Sequence, residues 1–256
     1  MNDVYEEFDF TVRSYECCAN GKVSVANLCN YLQESASLNA EHLGFNKSNF
    51  NAAGLDLTWV LARMRLSFTT LPNWGDRVTV LTYPRNARRL TAQRDFILSV
   101  NGAEIGRATT EWMMIDMQTR RLAAIPDLVL AKGNDVRPPA LGENAFSKLK
   151  WTPSEASTPA ETAFSKPNPS EAKATIACRA AFSDIDLNGH VNNTRYIAWI
   201  FDALGKNPEG GFDFELAFKN EMRLGEEARV QIAGDYARIL GDDGTERVLS
   251  RVTFCD

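Results

Sequence analysis

The sequence predicts an α+β chain of two consecutive domains on one plan, each a long helix wrapped by a curved antiparallel sheet. Three observations predict it. The order strand, long helix, run of strands occurs twice; a Pro-rich stretch separates the two occurrences; and Asn-Gly and Asp-Gly pairs sit between alternating apolar segments, where they mark hairpin turns. The predicted divisions are residues 1–136, a linker over 137–172, and residues 173–256.

In the first half, Phe8, Phe10, Val12 and Ser14 alternate as in a strand. A helix follows, with Ser24 as its N-cap and Val25, Leu28, Leu32, Ala36, Asn39 and Leu43 near one face; Gly44 is placed to end it. Strands are expected over Leu57–Thr70, Arg77–Tyr83, Leu90–Val100 and Glu104–Asp116, with Asn101-Gly102 as the turn between the last two. From Arg137 to Pro169 the chain carries Pro138, Pro139, Pro153, Pro159, Pro167 and Pro169 among Ser, Thr and Ala, the composition of a linker or irregular crossover. The second half predicts a strand over Lys173–Phe182 and a helix bearing Tyr196, Ile197, Ile200, Phe201 and Leu204, closed by Gly205. Strands over Phe212–Glu221, Ala228–Tyr236 and Glu246–Phe254 complete it, with Asp243-Gly244 as a turn.

Composition narrows the function classes. A net charge of -5 argues against nucleic acid as the main partner. No run of apolar residues reaches the roughly eighteen that a membrane helix needs. Met1–Phe8 is acidic and lacks the basic and apolar regions of a secretory signal, so the cytoplasm is the expected compartment. Cys17, Cys18, Cys29, Cys178 and Cys255 form no C-x-x-C pair and no metal-ligand spacing with the two histidines. They read as reduced packing residues, and neither metal nor cofactor is expected.

The chemistry concentrates in Asp186-Leu187-Asn188-Gly189-His190-Val191-Asn192-Asn193. If the segment is extended, the side chains of Asp186, Asn188 and His190 point the same way and converge just before a helix, whose unpaired N–H groups favour developing negative charge. Asp184 and Asn193 are better read as turn and cap residues. That reading is weaker for the triplet, because capping requires one oxygen acceptor and no imidazole. His42 reads as a helix C-terminal residue. Tyr31, Trp199 and Met113-Met114 read as core or tunnel lining.

Taken together these residues resemble the acyl-acyl carrier protein thioesterases of plants and bacteria, over nearly the whole chain. In the first half the resemblance rests on Arg13-Ser14-Tyr15-Glu16, Leu32-Gln33-Glu34, Trp59-Val60, Arg63-Met64, Pro72 with Trp74-Gly75-Asp76, Arg94-Asp95, Thr119-Arg120-Arg121-Leu122 and Ile125-Pro126. In the second it rests on Asp186-x-Asn188-x-His190-Val191-Asn192-Asn193 with Tyr196-Ile197 and Trp199-Ile200, the Asp-x-Asn-x-His-Val-Asn-Asn element being the specific one.

The resemblance implies two tandem hotdog domains, the first lining an acyl tunnel and the second supplying catalysis. It implies catalytic roles for Asp186, Asn188 and His190, and for Glu221 within a strand of the second domain. Many relatives carry cysteine after that glutamate; here the residue is Met222, which forms no thiolate. The implied reaction is hydrolysis of fatty acyl-acyl carrier protein thioesters by carboxylate chemistry, with backbone N–H groups near Val191 stabilising the oxyanion. Whether Asp186 or Glu221 attacks or activates water stays open. The implied partner is an acyl carrier protein bearing a fatty acyl chain. Arg85, Arg88, Arg89 and Arg94 form a basic cluster on an acidic chain, which reads either as a docking patch for that carrier or as a solvated strand edge. A homodimer is compatible with this reading. Two alternatives stand beside it, an acyl-CoA thioesterase and a non-catalytic acyl-binding hotdog protein.

Overall fold

The computed structural model describes residues 4–135, 137–151 and 173–255; most of the predicted linker, 152–172, lies outside the described residues. Contacts divide the chain into two compact units. One takes residues up to Ser147 together with Asn207–Glu215 and the chain's end from Phe254, and the other takes Lys148–Lys206 and Leu216–Thr253.

The first unit contains β1 (Glu6–Thr11), α1 (Val25–Leu43), α2 (Lys47–Ala52), β2 (Leu57–Phe68), β3 (Arg77–Arg85), β4 (Ala92–Val100), β5 (Ala103–Asp116), β6 (Leu122–Ala123) and α3 (Asp127–Lys132). Its strands run antiparallel in the order β1-β3-β4-β5-β2, with β6 on β5. The long helix starts and stops where its capping residues require. Ser24 accepts the Asn27 N–H at 3.2 Å, and Gly44 takes the left-handed conformation, φ 80°, that a Cβ would strain. Its apolar face, Val25, Leu28, Cys29, Leu32 and Ala36, is buried, and α1 packs on β1 and β3. Asn101 and Gly102 both have positive φ, 52° and 79°, the signature of the tight turn whose twist matches the strands it joins.

The second unit contains β7 (Lys173–Arg179), α4 (Asn193–Leu204), β9 (Glu227–Ala233), β10 (Tyr236–Gly241) and all but the last two residues of β11 (Glu246–Cys255), ordered β11-β10-β9-β7, with α4 packed on β7, β9 and β10. Strand β8 (Gly211–Phe218) precedes β9, and its residues as far as Glu215 cluster with the first unit. The strand predicted over Ala228–Tyr236 covers nearly all of β9 and overruns the turn onto the first residue of β10, a separate strand. Gly234, φ 55°, with Asp235 turns the chain so that Tyr236 pairs back onto Ala233. Among the described residues, no helix is long and apolar enough to cross a membrane.

Asn207–Glu215 join the first unit through charge pairing as well as backbone. Arg65 on β2 grips the Asp213 carboxylate with Nε and Nη2 at 2.9–3.2 Å and donates through Nη1 to Ala145 O at 2.8 Å. Glu215, fully buried, accepts from Arg63 Nη2 at 2.6 Å, from the Ser147 N–H at 2.8 Å and from Ser147 Oγ at 2.7 Å.

The four arginines expected to form a docking patch do not share a surface. Along β4 alternate residues face opposite ways, so Arg94 points towards α1 and Asp95 away from it. Arg94 is buried, donating through Nη1 to Asn39 at 2.7 Å and to Thr82 at 3.2 Å, and burial pulls its guanidinium down to about 10. Arg85 is buried as well: its Nε donates at 2.8 Å to Asp95, which also accepts from Thr109 Oγ1 at 2.7 Å and the Ala140 N–H at 3.0 Å. Only Arg88 and Arg89 of the four are exposed. The docking assignment of Arg85 and Arg94 is therefore corrected: both are internal polar residues of the first unit.

Removing one partner from a buried pair strands the other charge. Arg85→Met is expected to destabilise the protein by about 3 kcal/mol in urea unfolding, because Asp95 stays buried without its cation. A loss below about 1 kcal/mol, typical of exposed pairs, would refute this account of the pair.

Candidate active site

The polar triplet sits in a closed turn rather than an extended segment. Ile185 and Val191 form an antiparallel bridge, the Asp186 N–H donates to His190 O at 2.9 Å, and the Gly189 N–H donates to Asp186 O at 3.0 Å. Gly189, φ 81°, supplies the left-handed residue the turn needs. Asp186 Oδ1 accepts the Asn188 N–H at 2.8 Å, so this carboxylate braces its own turn. Asn188 is exposed, while Asp186 and His190 are half-buried. The alternation argument for convergence does not apply; the turn itself sets where the side chains leave the backbone.

Nor does the triplet occupy the helix terminus. The N-cap of α4 is Asn192, whose Oδ1 accepts the Thr194 N–H at 2.9 Å, and Asn193 is the first helical residue. The N–H groups expected to bind an oxyanion are already spent: Val191 donates to Met222 O and Asn192 to Asp184 O, each at 2.8 Å. Asp184 is the structural residue the sequence suggests, buried, accepting the Ala181 N–H at 2.9 Å and pairing with Arg195 Nε at 2.7 Å.

Glu221 meets His190, with Oε2 3.0 Å from Nε2. It lies beyond the end of β8, in irregular chain rather than in the strand expected for it. Several bonds hold this irregular segment. Arg247 Nη1 donates to Glu221 O at 3.0 Å, Arg247 O accepts the Lys219 N–H at 2.8 Å, and the Met222 N–H donates to Tyr196 Oη at 2.8 Å. With Nε2–H directed at the carboxylate, the basic nitrogen of a neutral His190 is Nδ1, the tautomer a general base requires. Met222 is fully buried with no thiol to offer. Tyr196 and Arg247 are the residues sequence reasoning missed. Tyr196 is hidden in an apolar helical stripe, and Arg247 carries no local motif.

The first unit holds an apolar cavity of about 120 Å³ between α1, the sheet and α3, lined by Ala36, Ala40, Phe45, Trp59, Trp112 and Val129 among others. Both indole donors are already satisfied, Trp59 Nε1 by Phe45 O at 2.9 Å and Trp112 Nε1 by Thr110 Oγ1 at 2.8 Å. The rings therefore present hydrocarbon to the cavity.

Residues 2–132 match the acyl-ACP thioesterase N-terminal domain and residues 168–243 the acyl-ACP thioesterase C-terminal domain. The chain belongs to the acyl-ACP thioesterase family. It is 33% identical over 205 residues to the oleoyl-acyl carrier protein thioesterase 2 of Arabidopsis thaliana, covering 76% of this chain and 53% of that protein. A palmitoyl-acyl carrier protein thioesterase of Cuphea hookeriana is 32% identical over 206 residues, 76% of this chain and 46% of its own. The chain thus spans about half the length of the curated relatives it matches. Among solved structures, the 12:0-ACP thioesterase of Umbellularia californica superposes with a TM-score of 0.78 at 23% identity, covering 98% of this chain and 97% of that one. An acyl-ACP thioesterase of Bacteroides thetaiotaomicron gives 0.75 at 23% identity, covering 98% of each chain. The fold is the tandem hotdog, a long helix on an antiparallel sheet in each unit.

Within the family fold the turn exists twice. In the first unit Cys17 and Val23 bridge, Cys18 N–H donates to Lys22 O and Gly21 N–H to Cys18 O, each at 2.9 Å. Cys18, Asn20, Gly21 and Lys22 thus stand where Asp186, Asn188, Gly189 and His190 stand in the second unit, and only the second copy carries a carboxylate–imidazole pair.

The thiols differ in burial. Burial pushes the Cys29 thiol far up and the Cys178 thiol up to about 11, while Cys255 is exposed. Because the thiolate is the reactive form, iodoacetamide at neutral pH is expected to modify Cys255 before Cys29 or Cys178, as read by peptide mass spectrometry. Early labelling of Cys29 would contradict its placement.

Proposed function

We propose that the chain hydrolyses fatty acyl-acyl carrier protein thioesters to free fatty acids through Asp186, Asn188, His190 and Glu221, without a cysteine nucleophile. The observation that carries this reading is the 3.0 Å approach of His190 Nε2 to Glu221 beside a buried methionine at the following position. Family membership and the names of the relatives, oleoyl- and palmitoyl-acyl carrier protein thioesterases, support the substrate class. In this mechanism Glu221 orients the imidazole, and His190 Nδ1 takes a proton from water as the water oxygen attacks the thioester carbonyl. Asn188, exposed at the tip of the turn, donates its amide to the developing oxyanion, replacing the occupied N–H groups near Val191. The C–S bond then breaks, and the proton held by His190 passes to the leaving thiolate. Asp186 keeps the turn closed and brings a carboxylate to the loop that carries His190.

The hydrocarbon chain has its place in the first unit. An apolar cavity of roughly 150 Å³ binds a benzene-sized guest, so about 120 Å³ accommodates a few methylenes.

His190→Ala is expected to lower kcat on palmitoyl- or oleoyl-acyl carrier protein by about 10³-fold or more, and Glu221→Gln by a smaller factor. Asp186→Asn separates its two roles, since Asn keeps the acceptor for the Asn188 N–H but loses the charge. A fall comparable to His190→Ala assigns chemistry to the carboxylate, whereas full activity assigns it to the turn. Wild-type turnover by a folded His190→Ala protein, or hydrolysis of acyl-CoA in preference to acyl carrier protein thioesters, would overturn the corresponding part of the proposal.

Carrier docking falls to Arg88 and Arg89, the exposed pair of the original cluster. A local basic patch on a chain of net charge -5 steers an acidic partner. The double reversal Arg88→Glu/Arg89→Glu is expected to raise KM for the carrier-bound substrate, most at low salt, and to leave a small carrier-free thioester unaffected. Equal effects on both substrates would make the pair structural.

A further inference from the structure

We propose that Tyr196 is a positioning residue for the His190–Glu221 pair, acting through the Met222 backbone. The proposal rests on the catalytic reading above. Both backbone polar groups of Met222 are taken by the element that carries His190: its C=O accepts the Val191 N–H, and its N–H donates to Tyr196 Oη, each at 2.8 Å. Glu221 is the preceding residue, so its carboxylate is referenced directly to the loop and helix that present the imidazole. Tyr196 is itself fixed, 2% exposed and packed edge-on against Trp199 and Phe218 at 5.6 and 6.0 Å between ring centres. Burial holds its phenol above the usual range, so the hydroxyl stays neutral. Arg247 meets the same segment through Glu221 O.

The first unit supplies an internal control. Its backbone bonds repeat those of the second one by one: Val23 N–H to Pro72 O mirrors Val191 N–H to Met222 O. Ser24 N–H to Glu16 O mirrors Asn192 N–H to Asp184 O, and Val12 N–H to Asp76 O mirrors Ala180 N–H to Glu226 O. This correspondence places Pro72 at the position of Met222, Leu71 at that of Glu221 and Leu28 at that of Tyr196. Proline has no N–H to give and leucine no oxygen to receive one. The fold therefore closes this corner without the hydroxyl bond, and the bond is present only in the copy that carries the His–Glu pair. A purely structural tyrosine does not account for that difference; a tyrosine that holds Glu221 in register does.

Two variants cut the same bond from opposite ends. Tyr196→Phe removes the acceptor, and Met222→Pro removes the donor by installing the residue the first unit already tolerates. Each is expected to lower kcat on palmitoyl-acyl carrier protein by about tenfold, the scale of a small misplacement of a reacting group, with KM unchanged. The double variant is expected to lose no more than either single, and Tyr196→Phe to have no further effect in a Glu221→Gln background. In both single variants the ring ¹⁵N signals of His190, observable without turnover, are expected to shift. Unchanged kcat and unshifted His190 signals in a folded Tyr196→Phe protein overturn the proposal. So does an equal tenfold loss in the Glu221→Gln background, which marks a merely structural tyrosine. If Glu221→Gln and His190→Ala both retain full hydrolysis, the catalytic reading fails instead, and the His190 signals alone still decide whether Tyr196 positions the pair. If Tyr196→Phe fails to fold, Met222→Pro carries the same test.

Discussion

The site depends on the pair of backbone hydrogen bonds that Met222 makes to the His190 loop and to α4. A single hydrogen bond between partly exposed side chains such as His190 and Glu221 contributes about 1 kcal/mol net or less. It cannot by itself hold two loops together, because it must offset the entropy of ordering both. The bonds around it can: Val191 to Met222, Met222 to Tyr196, Arg247 to Glu221 and Lys219 to Arg247. Each contributes about 1 kcal/mol net and more if one partner is lost from a buried place. The pair proposed to carry the chemistry is thus a weak contact inside a strong frame, and 3.0 Å between imidazole and carboxylate is a property of the frame.

The same frame occurs twice and presents an imidazole–carboxylate pair once. The turn backbone is specified by Gly21 in one copy and Gly189 in the other, both left-handed, and by the bridges Cys17–Val23 and Ile185–Val191. In the first copy Lys22 replaces the histidine, and its Nζ donates to Thr70 Oγ1 and Leu71 O at 3.2 Å. A side chain at this position reaches for the same stretch of chain in both units. An ammonium on a carbonyl is a structural tie; an imidazole on a carboxylate is an oriented base.

Polar residues also organise the interior of the first unit. Asp95 is fully buried with Arg85, Thr109 and the Ala140 N–H as donors, and Arg94 links β4 to α1 through Asn39. Buried charges are tolerated there because each is paired or hydrogen-bonded. Arg63 and Arg65 do the same for Glu215 and Asp213, tying the residues before Ser147 to β8. An arginine cluster in sequence is a surface patch only if the strand period puts it on one face, and on β4 the period does the opposite.

Much of this protein was determined by local sequence. Ser24 and Gly44 bound α1, Gly205 ends α4, and Asn101-Gly102 closes its hairpin, because caps and positive-φ turns depend on the residues at the spot. The repeat of strand, helix and sheet was legible for the same reason, and the candidacy of Asp186, Asn188 and His190 came from residue type alone, since capping has no use for an imidazole. Tertiary structure decided the rest. Whether 186–190 is extended or closed depends on the Ile185–Val191 bridge and on Met222, which is distant in sequence. The burial of Arg85 and Arg94, the place of Glu221 beyond β8 and the hydrogen bond of Tyr196 to Met222 all depend on partners brought close only by folding. Periodicity states which residues share a face, but it carries no record of what packs against that face.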